Sequence, residues 1–565
     1  MDDNRIQGDT YKSYAKEKRK AETEMDGQCK TGGRGQLDKI YKGSRIVYLS
    51  NIYYFDIIII LLTILLKYIL TKNHDYWKKR NVPYLEPSLI FGNYKEAILL
   101  KKHQSQVTFD ICSKFPNEPY IGTFFGTDPA LVVLDPNLLK LILATDFYYF
   151  SGREVNDYSH KEVITRNVFF TGGDKWKIQR QNLTPLYSSS KIKGMFYLIQ
   201  NCAKQLEELL EEETKYSQDV DAKVLLGKFT MDAITSCVFG INSDIMKKET
   251  SSTNPFSVLG SKIFDRSKIA GIKLYFRQMW PALFYALRLS IFDPSINDYF
   301  VRILKGVFES RSNAKSSRND FVDLILTWKT GKVITSESMS NLKTGEKKTL
   351  TLEVNDELLA SQCVALFGAG FETTSTVMSF TLYEIAKNPE VQKKVLEEVD
   401  LYFKRHNGEI EYECVNELPY LVACIEEAVR LYPGVPVNSR EVMDDYTLPT
   451  GLRLKKGDRI HIPMNFIQRH PRYFSEPDKF NPERFYGDAK KNITPFTFSP
   501  FGEGPRICLG MRFARMPMHA GLLAVFRNHR VELSEDMPKT IPILPYSIVI
   551  TPSIPIKLKF LPRKD

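Results

Sequence analysis

The chain has 565 residues, with 78 lysines and arginines against 67 aspartates and glutamates, a formal net charge of +11. Hydrophobic residues make up 43% and charged residues 26%, a globular balance that excludes a collagen, a disordered tail protein and a polytopic transporter. Eight cysteines with no Cys-x-x-Cys pair exclude a disulfide scaffold and a zinc ribbon, and the modest positive charge suits an anionic lipid surface or an acidic partner rather than nucleic acid.

Residues 1–50 carry 11 Lys/Arg and 8 Asp/Glu with almost no apolar periodicity, which predicts a polar, disordered extension. Their acidic content excludes a mitochondrial transit peptide. From Ile52 to Leu70 the chain reads IYYFDIIIILLTILLKYIL. Nineteen helical residues span roughly 28 Å, close to the hydrocarbon core of a bilayer. Asp56 and Lys67 lie near its ends, where charges reach headgroups, and Tyr53, Tyr54 and Tyr68 stand at belt positions. A single uncleaved anchor is predicted over residues 51–71. Lys72, Lys78, Lys79 and Arg80 follow it and favour a cytosolic C-terminal side, although Lys39, Lys42 and Arg45 nearly balance them.

Pro83 and Pro87 stiffen a connector over residues 72–90. Residues 91–565 form one large domain, mainly α with small β-sheets. Helical spacing is plain in VQKKVLEEVDLYF and VACIEEAVRLY, and strands are predicted at LVVLD, RIHIPM, YSIVITPS and PIKLKF. The Lys-, Ser- and Thr-rich residues 312–353 read as an exposed loop.

The chemistry-bearing positions come in chain order. Trp176 and Arg180, in GGDKWKIQRQNLTP, are i and i+4 on one helical face. Ala369-Gly-Phe-Glu-Thr-Thr374 lies in a stretch that is apolar nearly all round, so its helix is predicted to be buried, with a local kink where Gly and a hydroxyl coincide. Glu372 and Thr373 offer an acid and an alcohol side by side; the plain alternative is a Thr bonding back to a carbonyl and a Glu in a salt bridge. Glu427 and Arg430 are i and i+3, and Pro482-Glu-Arg484-Phe485 follows. The decisive stretch is SPFGEGPRICLGMRF, with Phe501-x-x-Gly504-x-Arg506-x-Cys508-x-Gly510. A Cys on a loop just before a helix meets backbone N–H groups and a positive dipole, and flanking glycines, Gly502 among them, let the backbone approach its sulfur. Such a thiolate suits ligation of haem iron.

These motifs, in this order, resemble the cytochrome P450 monooxygenases, in particular the microsomal clan that includes the insect detoxification families 6 and 9. The resemblance covers about residues 75–560. It implies the P450 fold with a buried haem b, and Cys508 as the iron ligand on a loop that includes Phe501 and Gly502. It implies Trp176, Arg180, Arg440 and Arg506 as ligands of the haem propionates, with Arg153 a poorer match for a further one. Glu372 and Thr373 match the family's proton-relay pair. Glu427, Arg430 and Arg484 match a buried structural triad. Pro517, inside the helix after Cys508, and His470, where an Asp is common, depart from the pattern and put the local packing in question.

The resemblance further implies small lipophilic substrates, xenobiotics before endogenous lipids, hormones or pheromones. Electrons would come from NADPH through a separate P450 reductase, with cytochrome b5 optional. The reductase would dock on a basic patch of Lys175, Lys177, Lys490, Lys491 and Arg512, and the chain would lie on the endoplasmic reticulum membrane. The aromatic, basic stretch IAGIKLYFRQMWPALFYALRL suits a shallow membrane contact. A reductase-independent haem-thiolate isomerase and a non-enzymatic haem sensor are the competing readings.

Overall fold

The computed structural model describes residues 54–217, 219–247, 253–312 and 321–563. The predicted 1–50 extension lies outside the described residues. The chain divides into two units, residues 1–72 and 73–565. In the first, helix α1 (Tyr54–Thr71) is long and apolar enough to cross a membrane, with a mean hydropathy of 2.1. Its side chains from Ile57 to Leu66 are exposed, as a lipid-facing helix requires.

The second unit is mainly helical. Its principal elements are β1 (Tyr120–Phe125), β2 (Asp128–Val133), α2 (Gly173–Leu183), α3 (Phe196–Tyr216), β3 (Asp219–Asp221), α4 (Ala222–Val238) and α5 (Pro255–Ile263). Then come α6 (Lys268–Met279), α7 (Pro281–Ala286), α8 (Pro294–Ser312), α9 (Phe321–Gly331), β4 (Val333–Glu337) and β5 (Thr349–Glu353). The C-terminal half holds α10 (Asp356–Lys387), α11 (Pro389–Arg405), α12 (Pro419–Leu431), β6 (Asn438–Glu441), β7 (Arg459–Ile462), α13 (Met511–Asn528), β8 (His529–Leu533) and β9 (Lys557–Pro562).

The largest sheet has strand order β1-β2-β7-β6, with β2 and β7 parallel and the other pairs antiparallel. A second joins β8, β9 and β3. The 32-residue α10 is the spine of the core. Asn355 caps it by accepting from the Leu358 N–H, Asp356 and Glu357 open it and Lys387 closes it, so both dipole ends are complemented. It is buried almost all round, and α4 crosses it so closely that a Cβ on Gly370 would stand 2.6 Å from the Ile234 side chain.

Two expectations need correction, and two departures from the family pattern can be placed. Residues 321–353 are not an exposed loop. They form α9 and the β4–β5 hairpin, whose strands alternate exposed residues with the more buried Ile334, Ser336, Leu350 and Leu352, packed against α2. YSIVITPS forms no strand: only an isolated bridge, Ile543 with Pro552, survives there, because Pro552 cannot donate to a ladder. Pro517 does not end its helix, since α13 is helical on both sides of it and Pro517 is buried. His470 is satisfied, bonding the Pro116 carbonyl at 3.0 Å and accepting from the Arg472 N–H.

Candidate haem site

The loop before α13 is shaped by two glycines with positive φ, Gly502 at 75° and Gly504 at 69°. A Cβ on Gly504 would come within 1.8 Å of the Leu143 carbonyl oxygen, so only glycine fits. The Cys508 N–H donates to the Phe501 carbonyl at 2.7 Å, closing the loop so that the sulfur stands just ahead of α13. Cys508 is the one exposed cysteine among the described residues; the other six are buried. Burial pushes the thiol up; the Gly510 amide and the Arg180 charge pull it down more weakly.

Four arginines lie within electrostatic reach of one another, and Arg180 within reach of Cys508: Arg180 on α2, Arg440 on β6, Arg506 in the Cys508 loop, and Arg153. Burial lowers each, to about 10 for Arg153 and about 9 for Arg440. Arg506 feels the charges of Arg153, Arg440 and Arg180 as well. Among the described residues none of the four has a carboxylate partner, and the Nε atoms of Arg153 and Arg440 are buried without any hydrogen bond. Arg506 donates to the carbonyls of Ser151 and Thr171, at 3.0 and 2.6 Å, and stacks 4.7 Å over Trp176. Unpaired buried cations that repel one another want an anion between them. A haem, with two carboxylates on one edge and an iron for the cysteine, fits that donor set. Sequence reasoning held Arg153 at arm's length; the structure places it with the other three.

Glu372 and Thr373 stand side by side on α10 but have different partners. The Thr373 hydroxyl donates back to the Ala369 carbonyl at 2.6 Å. Glu372 is 4% exposed, and its carboxylate pairs with Lys223 at 3.1 Å and Arg266 at 3.4 Å. Lys223, on α4, also donates to the Ser375 hydroxyl at 2.6 Å, and burial holds its ammonium below the usual lysine range. Lys223 escaped the sequence reading; a lysine inside AKVLLGKF, at a position where α4 faces the core, was the one signal available. The spine helix is continuous through Gly370, with no break.

On α12, Arg430 donates to both oxygens of Glu427, at 2.7 and 2.9 Å, and to the carbonyls of Gln468 and Pro477. Arg484 reaches Glu427 at 3.4 Å and the Asn481 N–H donates to it at 2.8 Å. The Glu427 and Arg430 side chains are fully buried.

The segment 156–166 and helix α7 are joined by a short chain of hydrogen bonds. Arg277 Nε donates to the Tyr285 hydroxyl at 2.6 Å, which donates to Glu162 at 2.9 Å. Glu162 also accepts from the Ile291 N–H, and Tyr158 stacks on Tyr285. Residues 163–166 of the same segment pack on α10, and Val168 donates to Gln362.

Comparison with known proteins agrees with this geometry. The family model "Cytochrome P450" matches residues 82–560. The chain is 33% identical to cytochrome P450 6B2 of Helicoverpa armigera, over 91% of this chain and 99% of that protein. It is 35% identical to cytochrome P450 6B5 of Papilio glaucus, over 82% and 94%, and 30% identical to cytochrome P450 6k1 of Blattella germanica, over 86% and 93%. The exposed Cys508 on its glycine-shaped loop, the neighbouring arginines without carboxylate partners and likeness over nearly the whole length converge: this chain belongs to the cytochrome P450 family and is a monooxygenase of that family.

Proposed function

We propose that the protein is an anchored microsomal monooxygenase that inserts one oxygen atom into small lipophilic compounds, foreign ones such as plant toxins and insecticides before endogenous lipids. The observation that carries the reading is the exposed Cys508 on its glycine-shaped loop, with Arg153, Arg180, Arg440 and Arg506 grouped nearby and without carboxylate partners among the described residues. Haem b, held through the Cys508 sulfur, would supply dioxygen activation there, with electrons from NADPH delivered by a reductase and cytochrome b5 as an optional donor.

The protein's own residues do the rest. Cys508 provides the iron ligand, and the Gly510 amide tempers its charge. Arg440, Arg506, Arg153, Arg180 and Trp176 hold the propionate edge; guanidinium forks match carboxylates bidentately. Thr373 and Glu372 handle protons on the spine helix, and Glu372 must trade Lys223 for water before its carboxylate can carry one. Glu427, Arg430 and Arg484 brace the cysteine loop.

Delivery of lipophilic substrate from the bilayer is supported by α6 and α7, where Ile269, Ile272, Leu283 and Leu287 are exposed at helical spacing. Together with α1 they support a place on the endoplasmic reticulum membrane. The reductase patch is thinner than the sequence suggested: Lys490 pairs with Glu426 and Lys491 with Asp488, Lys177 bonds the Ser338 carbonyl, and Arg512 bonds the Tyr187 carbonyl, leaving the exposed Lys175 the one of the five without an ion pair or side-chain hydrogen bond among the described residues.

The test is turnover in membranes with reductase and NADPH against toxins, insecticides, fatty acids and steroids, read by mass spectrometry. Products heavier by one oxygen, or dealkylated, and absent with Cys508→Ala, are expected. One strong endogenous lipid product with no foreign ones would move the role to biosynthesis. A sound haem-thiolate spectrum with no oxygenated product would favour the isomerase or sensor reading.

A further inference from the structure

The β4–β5 hairpin is fastened along one face of α2, the helix that carries Trp176 and Arg180. Asp174 accepts from the Ser338 hydroxyl at 2.9 and 3.1 Å and from the Met339 N–H at 2.6 Å. Lys177 donates to the Ser338 carbonyl at 3.2 Å, Asn182 to the Thr335 carbonyl at 2.9 Å, and the Ser336 hydroxyl to Gln181 at 2.6 Å. Positions 174, 177 and 181 are i, i+3 and i+7, so one stripe of the helix is bound along its length. Met339 is 6% exposed and completes a small apolar cluster with Phe147 and Trp176. Trp176 in turn lies under the Arg506 guanidinium. Past the turn, Lys343 pairs with Asp444 at 2.5 Å, four residues beyond Arg440. The hairpin therefore contacts the carriers of three propionate-side groups.

We propose that this hairpin is a positioning brace for haem. It fixes the rotation of α2 so that Trp176 and Arg180 face the propionate edge, with Met339 as the positioning residue behind Trp176. A two-stranded hairpin is marginal alone, so its order comes from α2, and α2 gains the same coupling in return. The brace rests on the haem reading above. It predicts that haem binding also protects the hairpin.

The test uses the detergent-solubilised full-length holoprotein. Haem transfer to apomyoglobin and amide exchange of residues 173–183 and 333–353 are measured for the wild type, Met339→Ala, Met339→Leu, Ser338→Ala and the outward-facing control Thr349→Ala. Met339→Ala is expected to lose haem about tenfold faster, equivalent to about 1.4 kcal/mol of lost affinity, with faster exchange in the first turn of α2. Met339→Leu, which keeps the volume, and Thr349→Ala should match the wild type. Ser338→Ala removes hydrogen bonds without opening the core, and carries the comparison if Met339→Ala does not accumulate. Wild-type haem loss in Ser338→Ala and Met339→Ala, with the hairpin shown released by exchange, would overturn the brace. So would hairpin exchange that is the same with and without haem. Haem loss reads the brace whichever ligand the iron takes, whereas a wild type lacking the thiolate-type carbonyl spectrum would count against the function alone.

Discussion

Replacing Glu427 with alanine strips the anion from a fully buried arginine. Arg430 would keep its bonds to the Gln468 and Pro477 carbonyls but lose both carboxylate oxygens, and Arg484 and the Asn481 N–H would each lose an acceptor. Stranding one partner of a buried pair costs about 3–5 kcal/mol. The unfolding entropy is about 2 cal/mol/K per residue, or about 1 kcal/mol/K for a folded unit of roughly 490 residues, so the midpoint should drop by about 3–5 °C. The assay is thermal unfolding of the solubilised holoprotein, alongside the yield of haem-loaded protein. Glu427→Ala combined with Arg430→Met should recover part of the loss, because the buried charge leaves with its partner. A Glu427→Ala midpoint within 1 °C of wild type, on the order of the pair's being worth less than about 1 kcal/mol, would refute the reasoning.

Other perturbations have signs of their own. Thr373→Ala should lower product per NADPH by about tenfold and divert electrons to peroxide, since a positioned proton donor contributes about 10²–10⁴ in rate; coupled turnover at the wild-type ratio counts against the relay. Burial, with Asp157 and Glu154 adding to it, raises the Glu441 carboxyl to about 7. A group raised on folding stabilises most below its unfolded pKa, so its contribution is full near pH 4 and is lost as pH rises from about 4.5 to about 7. Glu441→Gln should flatten that slope in a pH series of unfolding midpoints. Tyr285→Phe removes the hydroxyl between Arg277 and Glu162, a loss of about 1 kcal/mol; the thermal midpoint of the solubilised holoprotein should fall by about 1 °C, with carbon monoxide binding unchanged.

The sequence carries the parts of this molecule that depend on local chemistry. The glycines of the Cys508 loop, the apolar girdle of α10 and the i, i+3 pair at Glu427 can each be seen without coordinates, because backbone freedom, periodicity and helical spacing are short-range properties. What could not be seen is long-range. Lys223 reaches Glu372 across 149 positions, and nothing in AKVLLGKF says which acid it meets. The β4–β5 hairpin was mistaken for a loop because its polar composition is that of a solvated strap; its order comes from hydrogen bonds to Asp174, Gln181 and Asn182, more than 150 residues earlier. Pro517 shows the same limit, since the buried packing of α13 carries the helix past a residue whose local chemistry disfavours it.

The group of Arg153, Arg180, Arg440 and Arg506 has a consequence for how the protein comes into being. Before its prosthetic group arrives, the newly made chain must gather four like charges in its interior with no carboxylate among them. That intermediate is self-repelling and easily opened. Haem then acts as the last folding partner, adding about 4 kcal/mol when present at a thousandfold above its dissociation constant. Abundance of the finished enzyme should therefore follow the cell's haem supply, and chains made in excess of it should go to degradation rather than to a store of empty protein.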